Sequence, residues 1–155
     1  MFIIGHALTP FLGNKSLPVS DFVVNWLVVK LSYSILLLRR FNVEISNGLE
    51  GNKILQVTCS EKGVSTGVQF LDFNSSFLVK FRIYPKTLIW CNLWKGPNCV
   101  HHVKFNAFVG NEKFIHDVCG SRKPDVCFWQ AREDGVYVRN NLTGAFKFMY
   151  KWDIN

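Results

Sequence analysis

Phe77, Val79, Phe81 and Ile83 alternate along the chain with Leu78, Lys80, Arg82 and Tyr84. Successive side chains of a strand point to opposite faces, so this period of two describes a strand with one buried side and one wetter side. Further short apolar runs occupy residues 42–46, 54–59, 67–71, 87–94, 101–109, 126–131, 136–140 and 145–150. Turn formers punctuate the intervals, among them Gly48, Gly51, Gly63, Asn74, Pro85, Gly96, Pro97, Gly110, Asn111 and Gly120. No stretch of this region holds a helical period for long. Short strands recurring every ~8–12 residues between turn signals predict an all-β domain, either a sandwich or a barrel.

Toward the end, Glu133 and Asp134 stand beside Gly135, with Arg132 and Cys127 nearby, a grouping that suits either an active site or a turn. Asp134-Gly135 between two strand-like runs predicts a tight hairpin whose central residues take positive φ. Asn140, Asn141 and Gly144 predict a second, longer hairpin. The domain therefore ends in a three-stranded meander. Turn chemistry accounts for Asp134 without catalysis, and sequence neighbours such as Glu133 and Asp134 diverge instead of flanking a glycosidic bond. Arg132 and Arg139 are placed on the outer face of this meander.

A chain of 155 residues suffices for one domain with a sizeable core. Aromatic residues at 15% and charged residues at 19% exclude a disordered chain. The net charge of +7 divides into +3 over residues 1–40, from four bases and one acid, and +4 over residues 41–155, from fourteen bases and ten acids. A mild, spread excess without a basic run interleaved with stacking aromatics suits an acidic surface or partner and argues against nucleic acid. The front, residues 1–40, is a separate hydrophobic segment. Residues 22–38 are apolar but broken by Asn25 and Lys30, and Arg39-Arg40 follows where a signal peptide would place small residues. Seventeen residues fall short of the roughly twenty that span a bilayer. An atypical signal peptide or signal anchor is the first reading, ahead of a misassigned N-terminus and of a buried amphipathic helix.

Cys59, Cys91, Cys99, Cys119 and Cys127 all fall in the β region, a density that suits an oxidising compartment. Zinc ligation is disfavoured by the absence of a C-x-x-C pair. Two disulfides leave one cysteine over, and Cys99 is the residue to watch. Asn14, Asn74 and Asn141 each begin an N-x-[ST] sequon, and Asn74 and Asn141 are the N-glycosylation candidates because both fall at expected exposed turns.

Catalytic groupings are weak. His101 and His102 are adjacent and would face opposite sides of a strand, so they do not chelate one metal together. His116-Asp117 pairs a base with an orienting acid, but no G-x-S-x-G supplies a nucleophile. A ribonuclease using His101, His116 and Lys104 is the remaining enzymatic alternative. Trp90, Trp94, Trp129 and Trp152 read as core or rim aromatics, an exposed pair of which would give a carbohydrate-stacking surface. No catalytic residue, metal site, cofactor or small-molecule substrate is expected.

Several stretches, in order, resemble plant self-incompatibility S-proteins and their homologues over roughly residues 41–152. They are Asn42-Val-Glu-Ile-Ser-Asn, Leu55-Gln-Val-Thr-Cys59-Ser-Glu-Lys, Leu88-Ile-Trp90-Cys91-Asn-Leu, His101-His102-Val-Lys-Phe105, Cys127-Phe-Trp-Gln-Ala-Arg-Glu-Asp134-Gly135-Val-Tyr137 and Phe148-Met-Tyr150-Lys-Trp152. The resemblance implies a small secreted antiparallel β-sandwich, residues 41–155, with two disulfides. Founding members are stigmatic ligands that trigger rejection of self pollen through a pollen membrane receptor. The family cysteines fall on Cys59, Cys91, Cys119 and Cys127, with Cys59–Cys127 and Cys91–Cys119 as the implied pairing, and Cys99 has no counterpart. The expected function is thus a secreted, extracellular recognition ligand, not an enzyme. Its partner would be a plasma-membrane receptor on a neighbouring plant cell, engaged through hairpin loops at residues 47–53, 72–76, 95–98 and 111–123. A secreted carbohydrate- or wall-binding domain is the alternative.

Overall fold

The computed structural model describes residues 39–154. Of the hydrophobic front expected over residues 1–40, residues 1–38 lie outside the described region, and Arg40 already opens the first strand. Eleven strands follow one another: β1 (Arg40–Asn47), β2 (Leu55–Glu61), β3 (Val64–Ser65), β4 (Gln69–Leu71), β5 (Ser76–Arg82), β6 (Leu88–Lys95), β7 (His101–Val109), β8 (Val126–Ala131), β9 (Gly135–Arg139), β10 (Phe146–Lys151) and β11 (Asp153–Ile154). One sheet runs β10-β9-β8-β1-β5 and the other β11-β7-β6-β2-β3, with β4 also pairing with β2.

Sequence alternation sets which side chains enter the core. Phe41, Val43 and Ile45 on β1 face inward, in register with Phe81, Val79 and Phe77 on β5. From the other sheet Val57, Cys59, Ile89, Cys91, Leu93, Val103 and Phe105 meet them, all buried. Two aromatic groups knit the layers. Phe41, Phe81 and Phe108 lie with centroids 4.8–6.1 Å apart. Trp129 packs on Phe105 at 4.7 Å and donates from Nε1 to the Ala107 carbonyl of the opposite sheet at 3.0 Å. Burial of this apolar surface is the main term holding the layers together.

One pairing is parallel in an otherwise antiparallel sandwich, that of β1 with β8. Between them the chain builds β2 to β7, and a connection that long returns β8 in the direction of β1. Parallel running also sorts the loops. Residues 48–54, 72–75, 96–100 and the turn at 132–134 gather at one end, while 83–87, 110–125 and 140–145 gather at the other.

The disulfides differ from the implied pairing: Cys59 bonds Cys91, and Cys119 bonds Cys127. Cys59 and Cys91 are directly opposed on neighbouring strands, with Cα atoms 4.1 Å apart, whereas Cys127 lies in the facing sheet. Facing sheets stand ~10 Å apart. Cys119 closes a short loop onto β8 and anchors the helical segment α1 (Glu112–Phe114) with the wider turn Ile115–Cys119 after it. Cys99 lies outside both bridges, half-buried, with Sγ 3.3 Å from Gln56 Oε1.

The tight hairpin between β8 and β9 also departs from expectation. Arg132 and Gly135 exchange backbone hydrogen bonds, so Glu133 and Asp134 occupy the corner, and none of residues 132–135 has left-handed φ. Gly135 is required for another reason. A Cβ there would lie 2.3 Å from the Tyr150 carbonyl oxygen and 2.5 Å from the Phe148 ring, so only glycine lets β10 and that ring close over β9.

Candidate recognition surface

At the end shared by residues 48–54, 72–75, 96–100 and 132–134, three side chains tie the loops together. Asn47 is buried. Its Nδ2 donates to the Lys53 and Leu71 carbonyls, each at 2.7 Å, and its Oδ1 accepts from the Leu49 N–H at 2.9 Å, which joins the loops after β1 and β4. Glu133 Oε1 accepts from the Glu50 N–H at 2.9 Å and from Lys53 Nζ at 2.8 Å. Lys95 is buried, and its Nζ donates to the Glu133 carbonyl at 2.6 Å, lies 3.4 Å from Glu133 Oε2, and sits over the Trp152 ring at 5.1 Å. Trp152 in turn donates to the Arg132 carbonyl at 2.8 Å. A buried ammonium must be paired and hydrogen-bonded, and Glu133 supplies both. Glu133, read in the sequence only as turn chemistry, is therefore the clasp of this end.

The hydrogen bond from Lys53 is the largest influence on Glu133 and, with the Glu50 N–H and Lys95, holds its carboxyl below the ordinary 4.5, against an opposing push from burial. A depressed folded value means the stabilisation is present above the ordinary carboxylate range and lost as pH falls through the folded value. Urea midpoints measured from neutral pH to pH 3 should decline less steeply in Glu133→Gln than in the parent; parallel curves would remove Glu133 from the account.

Ile54, 53% exposed, and Phe73, 46% exposed, stand on this fastened end. Asn74 is exposed beside them with a left-handed backbone, φ 61°. Three of the four expected recognition segments thus meet here. Residues 111–123 do not; they lie at the opposite end.

Asn141 does not stand free on a hairpin tip. Its Nδ2 donates to the Val126 carbonyl at 2.7 Å and the Ser121 carbonyl at 2.9 Å, and lies 3.3 Å from that of Pro124. Both amide protons are committed to the carbonyls of Ser121 and Val126, so the Asn141 side chain pins the loop before β8 to the first residue of that strand. Asn140 makes the turn, its Oδ1 accepting from the Leu142 and Thr143 N–H groups.

The histidines are not brought together. His101 opens β7 while His116 lies beyond its far end, ~25 Å of strand away. His116 and Asp117 do pair, at 2.8 Å, but on an exposed turn where Asp117 also takes Lys113. Hydrogen bonds from His116 and then Lys113 hold Asp117 below the ordinary carboxylate value. His102 Nε2 is 3.0 Å from Asn92 Oδ1, and its ring stacks on Trp94, centroids 5.1 Å apart. Lys104 lies over Trp90 at 4.2 Å. Trp129 and Trp152 are core residues, so Trp90 and Trp94 alone of the four are partly exposed. Arg132 and Arg139 lie on the outer face of the meander, stacked on aromatic rings.

Comparison with known proteins places these features. Residues 42–152 match the family model described as plant self-incompatibility protein S1. S-protein homolog 8 of Arabidopsis thaliana is 30% identical over 112 residues, covering 72% of this chain and 80% of that protein. S-protein homolog 21 of Arabidopsis thaliana is 30% identical over 138 residues, covering 86% and 96%. The fold also matches a solved structure of self-incompatibility protein homologue proteins, described as a widespread family of small, highly stable, secreted proteins from plants. The TM-score there is 0.56 at 24% identity, with 74% of this chain and 96% of that chain covered.

Proposed function

The chain belongs to the plant self-incompatibility protein S1 family, and from that membership and its fastened loop end we propose that it is a secreted ligand read by a receptor on the plasma membrane of a neighbouring plant cell. The observation that carries this reading is the clasp. Asn47, Glu133 and Lys95 hold three loops from distant parts of the chain in one arrangement, with Ile54 and Phe73 exposed upon it. A surface ordered before binding loses little conformational entropy on docking, and exposed apolar side chains on it supply the anchors. Disulfides suit an extracellular protein, and Asn74 is the sequon asparagine that the glycosylation machinery can reach at this end. Pollen rejection is one output such recognition would serve.

Oxidised, fluorescently labelled protein should bind saturably to plasma membranes from plant reproductive tissue. An Ile54→Ser/Phe73→Ser variant should bind ~10-fold more weakly or worse, as expected for apolar anchors. Absence of saturable binding to any such membrane, or equal binding by the variant, would sink the loop-end reading.

A further inference from the structure

The receptor-ligand reading leaves the chemistry of the partner open, and we infer that the open edge of β10, with the cation-aromatic face beside it, receives an extended acidic segment of the partner protein. This inference rests on the receptor-ligand reading.

Outward positions of β8, β9 and β10 form one patch. Phe128 and Phe146 both stand in register with Arg139, and Tyr137 stands in register with Phe148. The Arg139 guanidinium lies 3.7 Å from the Phe128 ring centre, and that of Arg132 lies 4.4 Å from Tyr137 and 4.5 Å from Phe146. A guanidinium laid flat on a ring keeps its N–H edge turned outward, where it can take a carboxylate two bonds at a time. Arg132 spends Nε on Gln130 Oε1 at 2.7 Å, and among the described residues neither arginine is ion-paired to a carboxylate. Asp134 is held by the Tyr137 hydroxyl at 2.5 Å, and Glu44 stands one strand beyond Phe128 on β1.

Phe146 and Phe148 are 40% and 46% exposed on an edge strand that pairs only with β9 among the described strands. Such an edge offers a row of backbone donors and acceptors to an added strand. Lys147 and Lys151 are exposed along the same strand. They select the occupant by charge. A second copy of this chain, bringing its own β10, would set lysine against lysine, whereas an acidic strand meets Lys147, Lys151, Arg132 and Arg139 with opposite charge. Aromatic side chains with arginine are also the residues that concentrate affinity in protein interfaces. Gly135 completes the site by letting the Phe148 ring lie across β9.

The test is titration of the oxidised protein with a short peptide alternating glutamate and valine, read by fluorescence anisotropy, beside the same peptide with lysine for glutamate. Saturable binding of the acidic peptide alone is expected. Phe146→Ser/Phe148→Ser, Arg132→Gln/Arg139→Gln and Lys147→Glu/Lys151→Glu should each weaken it ~10-fold or more. The last pair is wholly on the surface and leaves the fold intact, which near-ultraviolet circular dichroism checks. No peptide binding, or binding indifferent to all three variants, overturns the inference. Tighter binding of sodium polygalacturonate through the same residues also overturns it, in favour of an acidic glycan. If Ile54→Ser/Phe73→Ser abolishes membrane binding while the β10 variants leave it intact, the edge inference falls and the receptor-ligand reading stands. Loss of all membrane binding in the parent protein strikes the receptor-ligand reading instead.

Discussion

A Cys59→Ala/Cys91→Ala protein is expected to be less stable than its parent by about 3–4 kcal/mol, and a Cys119→Ala/Cys127→Ala protein by about 2–3 kcal/mol, in urea unfolding at neutral pH. The ordering comes from loop length. The first bridge closes 32 residues and the second 8, and a longer loop restricts the unfolded chain more. All four cysteines are fully buried, so the lost packing volume is similar for both pairs and leaves the difference to the loops. Equal losses, or a larger loss from the second pair, would contradict the chain-entropy account. Local effects should differ as well. The first bridge staples two central-facing strands, whereas the second ties residues 111–123 to β8, so its removal should open that loop to proteolysis before global unfolding. Peptide mapping without reductant should recover Cys59 linked to Cys91; recovery of Cys59 with Cys127 would refute the observed register of β2 and β6.

The strands were legible because burial and alternation are the same fact. Phe77, Val79 and Phe81 turn inward and Leu78, Lys80 and Arg82 turn outward, as a period of two demands. The cysteine pairing was not legible, because it depends on which distant strands become neighbours and in what register. Cys59 meets Cys91 only once β2 and β6 pair antiparallel with Thr58 opposite Asn92. The clasp did leave a signal that motif reading passed over. Lys95 continues the inward phase of Ile89, Cys91 and Leu93, and Asn47 continues that of Phe41, Val43 and Ile45. A lysine or asparagine at an inward position has to find partners. Those partners are Glu133, 38 residues from Lys95, and the carbonyls of Lys53 and Leu71, and only the fold reveals that they converge. Gly135 was misread for a related reason. Its sequence neighbour Asp134 suggested a backbone need for positive φ, while the real constraint is the approach of Phe148 and Tyr150 from the next strand.

Trp129→Ala should cost about 3–5 kcal/mol, the range for removing a large buried aromatic side chain. Trp129 is 1% exposed on β8, the middle strand of its sheet, and its ring packs against Phe105 at 4.7 Å and Tyr150 at 6.1 Å, two rings that also touch each other. It also spans the two layers by its hydrogen bond to the Ala107 carbonyl. Trp129→Phe separates the two contributions. Phenylalanine keeps most of the aromatic contact but leaves that buried carbonyl without its donor, a loss of about 1–3 kcal/mol. An intermediate urea midpoint for Trp129→Phe, between parent and Trp129→Ala, is therefore expected. Equal losses in the two variants would make the hydrogen bond, not the packing, the dominant link between the sheets. Because Trp129 meets β10 through the core-facing Tyr150 and not through the outward Phe146 and Phe148, and is not part of the clasp, the folded fraction of Trp129→Phe should bind membranes with the parent's affinity. A loss of affinity greater than the loss of folded protein would mean that the recognition surfaces depend on how the two layers pack, and not only on the contacts that fasten each of them locally.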